Sequence, residues 1–309
     1  MGLRRILFAS VAFLCLMGMS IASRAAENYL QARTRIGSSG GTCSSASGSS
    51  GSVPAPAAAV GYDTQTFGPA VTLGQNWTPF SYFGVNPSSI QATQNADGSV
   101  TILDSGDNYG AQLASIPAFG GGGYFEATLS FPIPASGGGG GFWSGDSQGL
   151  QGNNGGNGVE VDIAEFDDAA ADQAGDYYQI QYHNWYGPQG SGKQVYPNPP
   201  GETGNATVPA GTDFSQPQTY GMLWVPATAS TQGYMQFFFN GTQVGNTITW
   251  NQYISGQSAL QNPFAVIDSR QLTLLLGTGG PPETVCSVSV WQASAANKGR
   301  KARARKSAR

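Results

Sequence analysis

Between residues 61 and 293, apolar and aromatic residues come in short runs that alternate with polar residues, and clusters of Gly, Asn, Pro and Asp separate the runs. No stretch of this region keeps the period of an amphipathic helix. Short alternating runs predict β-strands, and an Asn-Gly pair at 240–241 predicts a hairpin turn. The clearest runs are residues 99–103, 124–131, 159–166, 177–182, 220–225 and 234–239. The pattern therefore predicts an all-β domain, a two-sheet antiparallel sandwich over residues 61–293.

The N-terminal part of the chain differs from this domain. Arg4 and Arg5 precede an apolar run and a pair of small residues, the pattern of a secretory signal peptide over residues 1–26. A membrane anchor is the alternative, but polar and glycine residues interrupt the run, and no later stretch is long enough to span a membrane. Residues 27–60, rich in Gly, Ser, Ala and Pro, predict a linker. We therefore expect a secreted protein, extracellular or periplasmic.

Charge is distributed unevenly along the chain. Residues 36–297 contain only two cations, Lys193 and Arg270, against 17 Asp and Glu. Nucleic acid binding needs a basic face, so this composition argues against a nucleic acid partner and favours a neutral polymer. Seven of the 14 Lys and Arg lie within the basic tail at 294–309, which we expect to be disordered. Contact between the tail and an anionic cell surface, or simple solvation, both remain open.

Cysteine usage leaves one question open. Cys15 would leave with the signal peptide, so Cys43 and Cys286 remain. An oxidising compartment permits a bridge between them that would join the start of the domain to its end. Sequence does not fix connectivity, so two unpaired thiols are the alternative.

The most informative segment is residues 158–166, Gly-Val-Glu-Val-Asp-Ile-Ala-Glu-Phe. Alternate side chains of a strand share a face, so Glu160 and Asp162 lie together, opposite the apolar residues. Glu165 is one position out of step, and a β-bulge near Ala164 would return it to the same face. Like charges at short range raise the pKa of at least one carboxyl group, which suits a general acid beside an ionised nucleophile. This arrangement is typical of glycoside hydrolysis.

Other interpretations of the acidic strand are a solvated surface or a calcium site. Seven of the 18 acidic residues fall between 160 and 176. A carboxylate-rich loop suits calcium, and residues 167–176 are the better candidate because the three earlier acids lie within the strand. We expect no required cofactor, and a structural calcium ion is compatible with this loop.

Residues 160–165 resemble the E-x-D-x-x-E motif of glycoside hydrolase family 16 in its bulged form. Residues 120–127, 141–143, 220–224 and 237–241 are similar to other strands of that family, so the resemblance covers roughly residues 61–293. It implies a concanavalin A-like jelly roll and a retaining double-displacement mechanism. It assigns Glu160 as nucleophile, Asp162 as its support and Glu165 as acid/base. The implied activity is endo-acting cleavage of a β-linked polysaccharide, with β-glucan as the expected substrate.

Four further residues are candidates for substrate binding. Trp143, Trp185 and Tyr186 have aromatic faces on which sugars stack. His183 follows a strand predicted to neighbour the carboxylate strand, where it would contact substrate or the acid/base, or serve as a structural histidine. Trp224 lies in an apolar strand and is expected in the core.

Two other functions stay open, a non-catalytic carbohydrate-binding sandwich and a polysaccharide transglycosylase. We expect a monomer.

Overall fold

The computed structural model describes residue 43 and residues 52–80, 91–103, 111–131, 140–146, 158–166, 177–185, 194–195, 204–255, 261–278 and 282–294. Every described residue belongs to one compact unit, Thr42–Arg309. The predicted signal peptide, most of the predicted linker and all but the first residue of the basic tail lie outside the described residues. No helix in the described ranges combines the length and the apolar character that a membrane crossing requires.

Most of the described residues lie in strands. The strands are β1 (Thr64–Phe67), β2 (Trp77–Phe80), β3 (Gln91–Gln94), β4 (Val100–Leu103), β5 (Ala111–Gly120), β6 (Gly123–Ser130), β7 (Gly140–Asp146), β8 (Gly158–Glu165), β9 (Tyr177–Trp185), β10 (Gln194–Val195), β11 (Gly204–Thr207), β12 (Gln218–Val225), β13 (Gly233–Phe239), β14 (Thr242–Trp250), β15 (Gln271–Thr278) and β16 (Glu283–Gln292). Each run that the sequence predicted as a strand is a strand, with bounds shifted by at most three residues.

These strands form two antiparallel sheets of eight strands each. The back sheet has the order β14, β13, β12, β6, β16, β4 and β3, and β1 also pairs with β16. The front sheet has the order β10, β9, β8, β7, β15, β5 and β2, and β11 also pairs with β9. The predicted all-β sandwich is confirmed.

The predicted hairpin at 240–241 joins β13 to β14. Asn240 and Gly241 both have positive φ, 48° and 77°. Two consecutive residues in this region form the turn whose twist matches that of paired strands, and Asn-Gly is the pair that adopts it at least cost. The local sequence therefore sets the register of this edge of the back sheet.

Aromatic contacts between the two sheets fill the core. The ring of Tyr178 in β9 lies 5.1 Å from that of Tyr220 in β12, and Phe119 in β5 lies 6.0 Å from Phe125 in β6. Trp224, expected in the core, is fully buried. On β8 the inward positions are Val159, Val161 and Ile163, each at most 2% exposed. Because these three face the core, the alternate positions of β8 face away from it.

A short helix, α1 (Ala55–Ala59), precedes the first strand. Ala57 is fully buried and packs in a small cluster with Tyr62, Tyr124 and Trp291. Alanine favours helix, and prolines are tolerated in the first turn, where the missing N–H has no helical partner. Folded structure therefore begins several residues before the boundary at residue 61 that composition suggested. A second helix, of the 3-10 type, spans Pro263–Ser269.

Cys43 and Cys286 form a disulfide, with 5.3 Å between their Cα atoms and a separation of 243 positions in sequence. The two cysteines are therefore bridged, and the alternative of two unpaired thiols is excluded. The bridge attaches Cys43 to β16, the strand that pairs with β1, β4 and β6.

Replacing both cysteines with serine is expected to lower the free energy of unfolding by about 4 to 5 kcal/mol, because a long closed loop greatly restricts the unfolded chain. A loss of that size lowers the melting temperature by roughly 10 to 15 °C in a domain of this length. Thermal melting of the oxidised wild type and of C43S/C286S measures the difference. Identical melting temperatures would show that the bridge contributes nothing to stability.

Candidate active site

A β-bulge in β8 aligns the carboxylates on one face. Towards β7, Asp162 lies opposite Trp143 and Ala164 lies opposite Phe142, so that Ile163 has no partner of its own. Towards β9 the register also shifts between Asp162 and Glu165. The bulge predicted near Ala164 is therefore present, and it restores Glu165 to the face of the other two carboxylates.

The neighbouring strand β9 has no bulge here, so the residues paired with the glutamates give the spacing of the carboxylates along the sheet. Glu160 lies opposite His183 and Glu165 lies opposite Gln179. Those partners are four positions apart, which corresponds to about 13 Å along the strand at roughly 3.3 Å per residue. Two glutamate side chains that converge from such a distance can approach to the separation of either a retaining or an inverting pair.

Asp162, between the two glutamates, is held by His183. Nε2 of His183 donates a hydrogen bond of 2.8 Å to Oδ2 of Asp162. Both residues are buried, with Asp162 3% and His183 6% exposed, whereas Glu160 and Glu165 are half-buried. The middle carboxylate is therefore held in place and buried, and the two outer ones are partly exposed.

Glu165 is also oriented by β9. Nε2 of Gln181 donates hydrogen bonds to Oε2 of Glu165 at 3.1 Å and to Oε1 of Gln179 at 2.9 Å. The sequence analysis did not identify these two glutamines. Strand alternation supplies the signal that finds them, because residues 179, 181 and 183 share one face of β9.

Trp143 is the proposed sugar-stacking residue that the structure brings to this face. It lies directly opposite Asp162 and is half-buried. The residues opposite Glu160 and Glu165 on β7 are Gly145 and Gly141. The indole of Trp143 lies over Gly141, because a Cβ at that position would come within 3.2 Å of the ring.

Trp185 and Tyr186 are the two other aromatic residues predicted to contact substrate. The backbone of Trp185 ends β9 opposite Gly158, but its side chain lies outside the described residues, as does Tyr186. The calcium candidate at 167–176 also lies outside them.

The carboxylate cluster also offers donors for a metal ion. One atom each from Glu160, Asp162 and His183 lie within 4.8 Å of one another. A ring nitrogen beside two carboxylates suits zinc better than calcium, which prefers oxygen ligands. His183 instead donates to Asp162 in the structure, so the side chains orient one another. None of these three residues belongs to the calcium candidate at 167–176 that the sequence suggested.

Arg270, one of two cations between residues 36 and 297, forms an ion pair at the end of β7. Its Nε lies 3.2 Å from Oδ2 of Asp146, which is 2% exposed. A guanidinium paired with a buried carboxylate is poorly placed to recognise an anionic ligand. The other cation, Lys193, lies outside the described residues.

No family model matches this chain, and no curated protein matches it. Several solved structures match this chain. An endo-1,3-beta-glucanase from Streptomyces sioyaensis is 19% identical with a TM-score of 0.53, over 75% of this chain and 96% of that one. A GlcNAcα1-4Gal-releasing endo-β-galactosidase from Clostridium perfringens is 14% identical with a TM-score of 0.51, over 74% of this chain and 61% of that one. The catalytic domain of PdAgaC is 11% identical with a TM-score of 0.50, over 73% and 88%. At these identities the likeness shows the fold.

Proposed function

We propose that this chain, which has the jelly-roll fold of glycoside hydrolase family 16, is a secreted endo-acting glycoside hydrolase that cleaves a neutral β-linked polysaccharide with retention of configuration. One observation carries the proposal: a bulge places the carboxylates of Glu160, Asp162 and Glu165 side by side on one face of the front sheet. Three adjacent acids repel one another, so stability alone does not favour them. A reaction that needs both a nucleophile and a proton donor does.

The roles follow from the environment of each group. Glu160 attacks the anomeric carbon and forms a covalent glycosyl-enzyme, while Glu165 protonates the departing oxygen and then removes a proton from the incoming water. Asp162 supports the nucleophile, and its hydrogen bond with His183 keeps it from rotating toward either glutamate. Gln181 directs the Glu165 carboxyl through a hydrogen bond.

The distribution of charge favours a neutral substrate. Sulfated or uronic acid polymers are bound through cations, and residues 36–297 contain only Lys193 and the ion-paired Arg270. The acidic face around Glu160 would repel such polymers. A β-glucan is neutral and presents the flat apolar faces that an indole such as Trp143 stacks against. The N-terminal signal pattern and the disulfide support an oxidising compartment outside the cytosol.

Incubation of the purified protein with a panel of β-glucans, β-galactans and their carboxymethylated or sulfated derivatives tests the proposal. We expect release of oligosaccharides from a neutral member, an early fall in viscosity, and first products that carry the β-anomeric configuration by NMR. Products longer than the substrate would identify a transglycosylase. Binding to a glycan without cleavage would identify a carbohydrate-binding protein and contradict the proposal.

Replacing Trp143 with alanine is expected to raise KM roughly 5- to 20-fold with a smaller change in kcat, because stacking of a ring on a sugar contributes about 1 to 2 kcal/mol to binding. Trp143→Phe, which keeps a smaller ring, is the matched control and should lie between the two. Steady-state kinetics on the best substrate of the panel measure the effect. Unchanged KM in W143A would remove Trp143 from the binding surface.

A further inference from the structure

Glu283 is a fully buried carboxyl group that no step of the proposed reaction uses. It begins β16 in the back sheet, opposite Ile102, and has no exposed surface. Its Oε2 atom accepts a hydrogen bond of 3.3 Å from the N–H of Gly141 in β7 of the front sheet. A single side chain of the back sheet therefore contacts the backbone of β7 in the front sheet.

The strand that Glu283 contacts, β7, lies beside the strand that carries Glu165. Gly277 lies opposite Gly141, and Gly141 lies opposite Glu165, so the three residues form one cross-strand row. The bulge interrupts regular pairing between β7 and β8 next to this row. A disrupted ladder fixes the separation of two strands less firmly than a regular one, because it has fewer hydrogen bonds. The hydrogen bond from Gly141 to Glu283 holds the backbone of β7 at the place where its ladder with β8 is disrupted.

The surroundings of Glu283 leave little freedom of movement. A side chain at Gly140 would clash with the Phe131 ring and come within 3.1 Å of Oε2 of Glu283. The ring of Phe166, which directly follows Glu165, lies 4.5 Å from that of Phe131 and 6.2 Å from that of Tyr220. Burial raises the pKa of Glu283 well above its ordinary value.

We propose that Glu283 is a positioning residue for the acid/base Glu165, acting through the backbone of Gly141. This inference rests on the proposed function. Glu283 touches no reacting atom. It holds β7 at the distance from β8 at which the Glu165 carboxyl reaches the leaving oxygen.

A purely structural anchor and a positioning residue give different kinetics. A structural anchor affects all substrates alike, because its loss reduces the folded fraction. A positioning residue affects the step in which Glu165 donates a proton, and small displacements of a proton donor cost up to about 100-fold. Aryl glycosides with an activated leaving group need little protonation, so they report on the rest of the site.

Three variants separate these alternatives. E283A removes the acceptor, and E283Q keeps an oxygen of the same reach. I102A is the matched control, since Ile102 is equally buried, lies opposite Glu283 and has no hydrogen-bonding group. We expect E283A to lose about 10- to 100-fold in kcat on polysaccharide and less than about 3-fold on a dinitrophenyl glycoside. E283Q should stay within about 3-fold of wild type on both, and I102A should fall equally on both.

Equal losses on both substrates in E283A, or no loss on either, would overturn the proposal. If E283A does not fold, E283D replaces it, because the shorter side chain withdraws the acceptor from Gly141 while keeping the carboxyl. A second measurement does not need turnover: carboxyl carbon NMR follows the titration of Glu165, which should shift in E283A and not in I102A. An inactive wild type would refute the proposed function, whereas an unmoved Glu165 titration would refute the positioning role by itself.

Discussion

Glutamine at position 160 is expected to lower kcat by more than about 1,000-fold on the best substrate, because an amide oxygen cannot form the glycosyl-enzyme bond that the carboxylate forms. The substitution keeps the shape of a half-buried side chain on the open face of the front sheet. Thermal melting should therefore be nearly unchanged, or slightly raised through relief of repulsion from Asp162. Initial rates and melting curves of the same preparation measure both effects.

The substitution E126Q in the back sheet is the control for the loss of a negative charge. Glu126 lies in β6 of the back sheet, where its carboxylate accepts a hydrogen bond from Tyr124, and E126Q preserves that acceptor. It should retain wild-type turnover. Turnover by E160Q within about 10-fold of wild type would exclude Glu160 as the nucleophile, since removal of a covalent catalyst costs far more.

Alanine at position 165 should give a different signature. Loss of the proton donor is expected to reduce cleavage of polysaccharide by about 100- to 10,000-fold, the usual contribution of general acid catalysis. Formation of the glycosyl-enzyme from a dinitrophenyl glycoside should persist, because that leaving group needs no proton. Water then attacks slowly without a base, so the intermediate accumulates and appears as a burst of released dinitrophenol. Stopped-flow absorbance measures the burst.

Azide provides the test of this assignment. It attacks the intermediate without needing a base, so it should restore turnover of E165A and yield a glycosyl azide. Retention predicts the β-anomer of that product, because two inversions occur. An α-azide would indicate direct displacement by an inverting enzyme. Rescue of E160Q by azide with formation of the β-anomer would exchange the roles of the two glutamates.

The bulge in β8 could be predicted from the local sequence alone. In residues 158–166 a period of two holds until Ile163, and the shift to Glu165 and Phe166 has a single simple explanation, an inserted residue. Both neighbouring ladders bear this out, with shifts beside Asp162 on each side. The strands and the Asn-Gly turn were predictable for the same reason. They depend on contacts within a few residues.

The remaining features depend on residues far apart in sequence. Glu283 contacts Gly141 across 142 positions, and a lone acid at the start of an apolar strand gives no sign of what it binds. Gln181 looked like an ordinary polar strand residue until the register placed it beside Glu165. Folded structure before residue 61 was missed because alanine-rich composition resembles a linker until a partner such as Trp291 covers Ala57. Pairing across a sandwich is fixed by the fold as a whole.

The disulfide also has a mechanical consequence. When a chain is pulled from its two ends, tension passes from Cys43 through the sulfur atoms to Cys286, so the 243-residue loop that they close carries none of it. Only the part of β16 after Cys286 can peel away from β6. Reduction places the whole loop under load and adds up to roughly 800 Å of contour length at about 3.4 Å per residue. An oxidised protein tethered at one end and drawn along a polymer would thus keep the front sheet, and the row of carboxylates, intact under force.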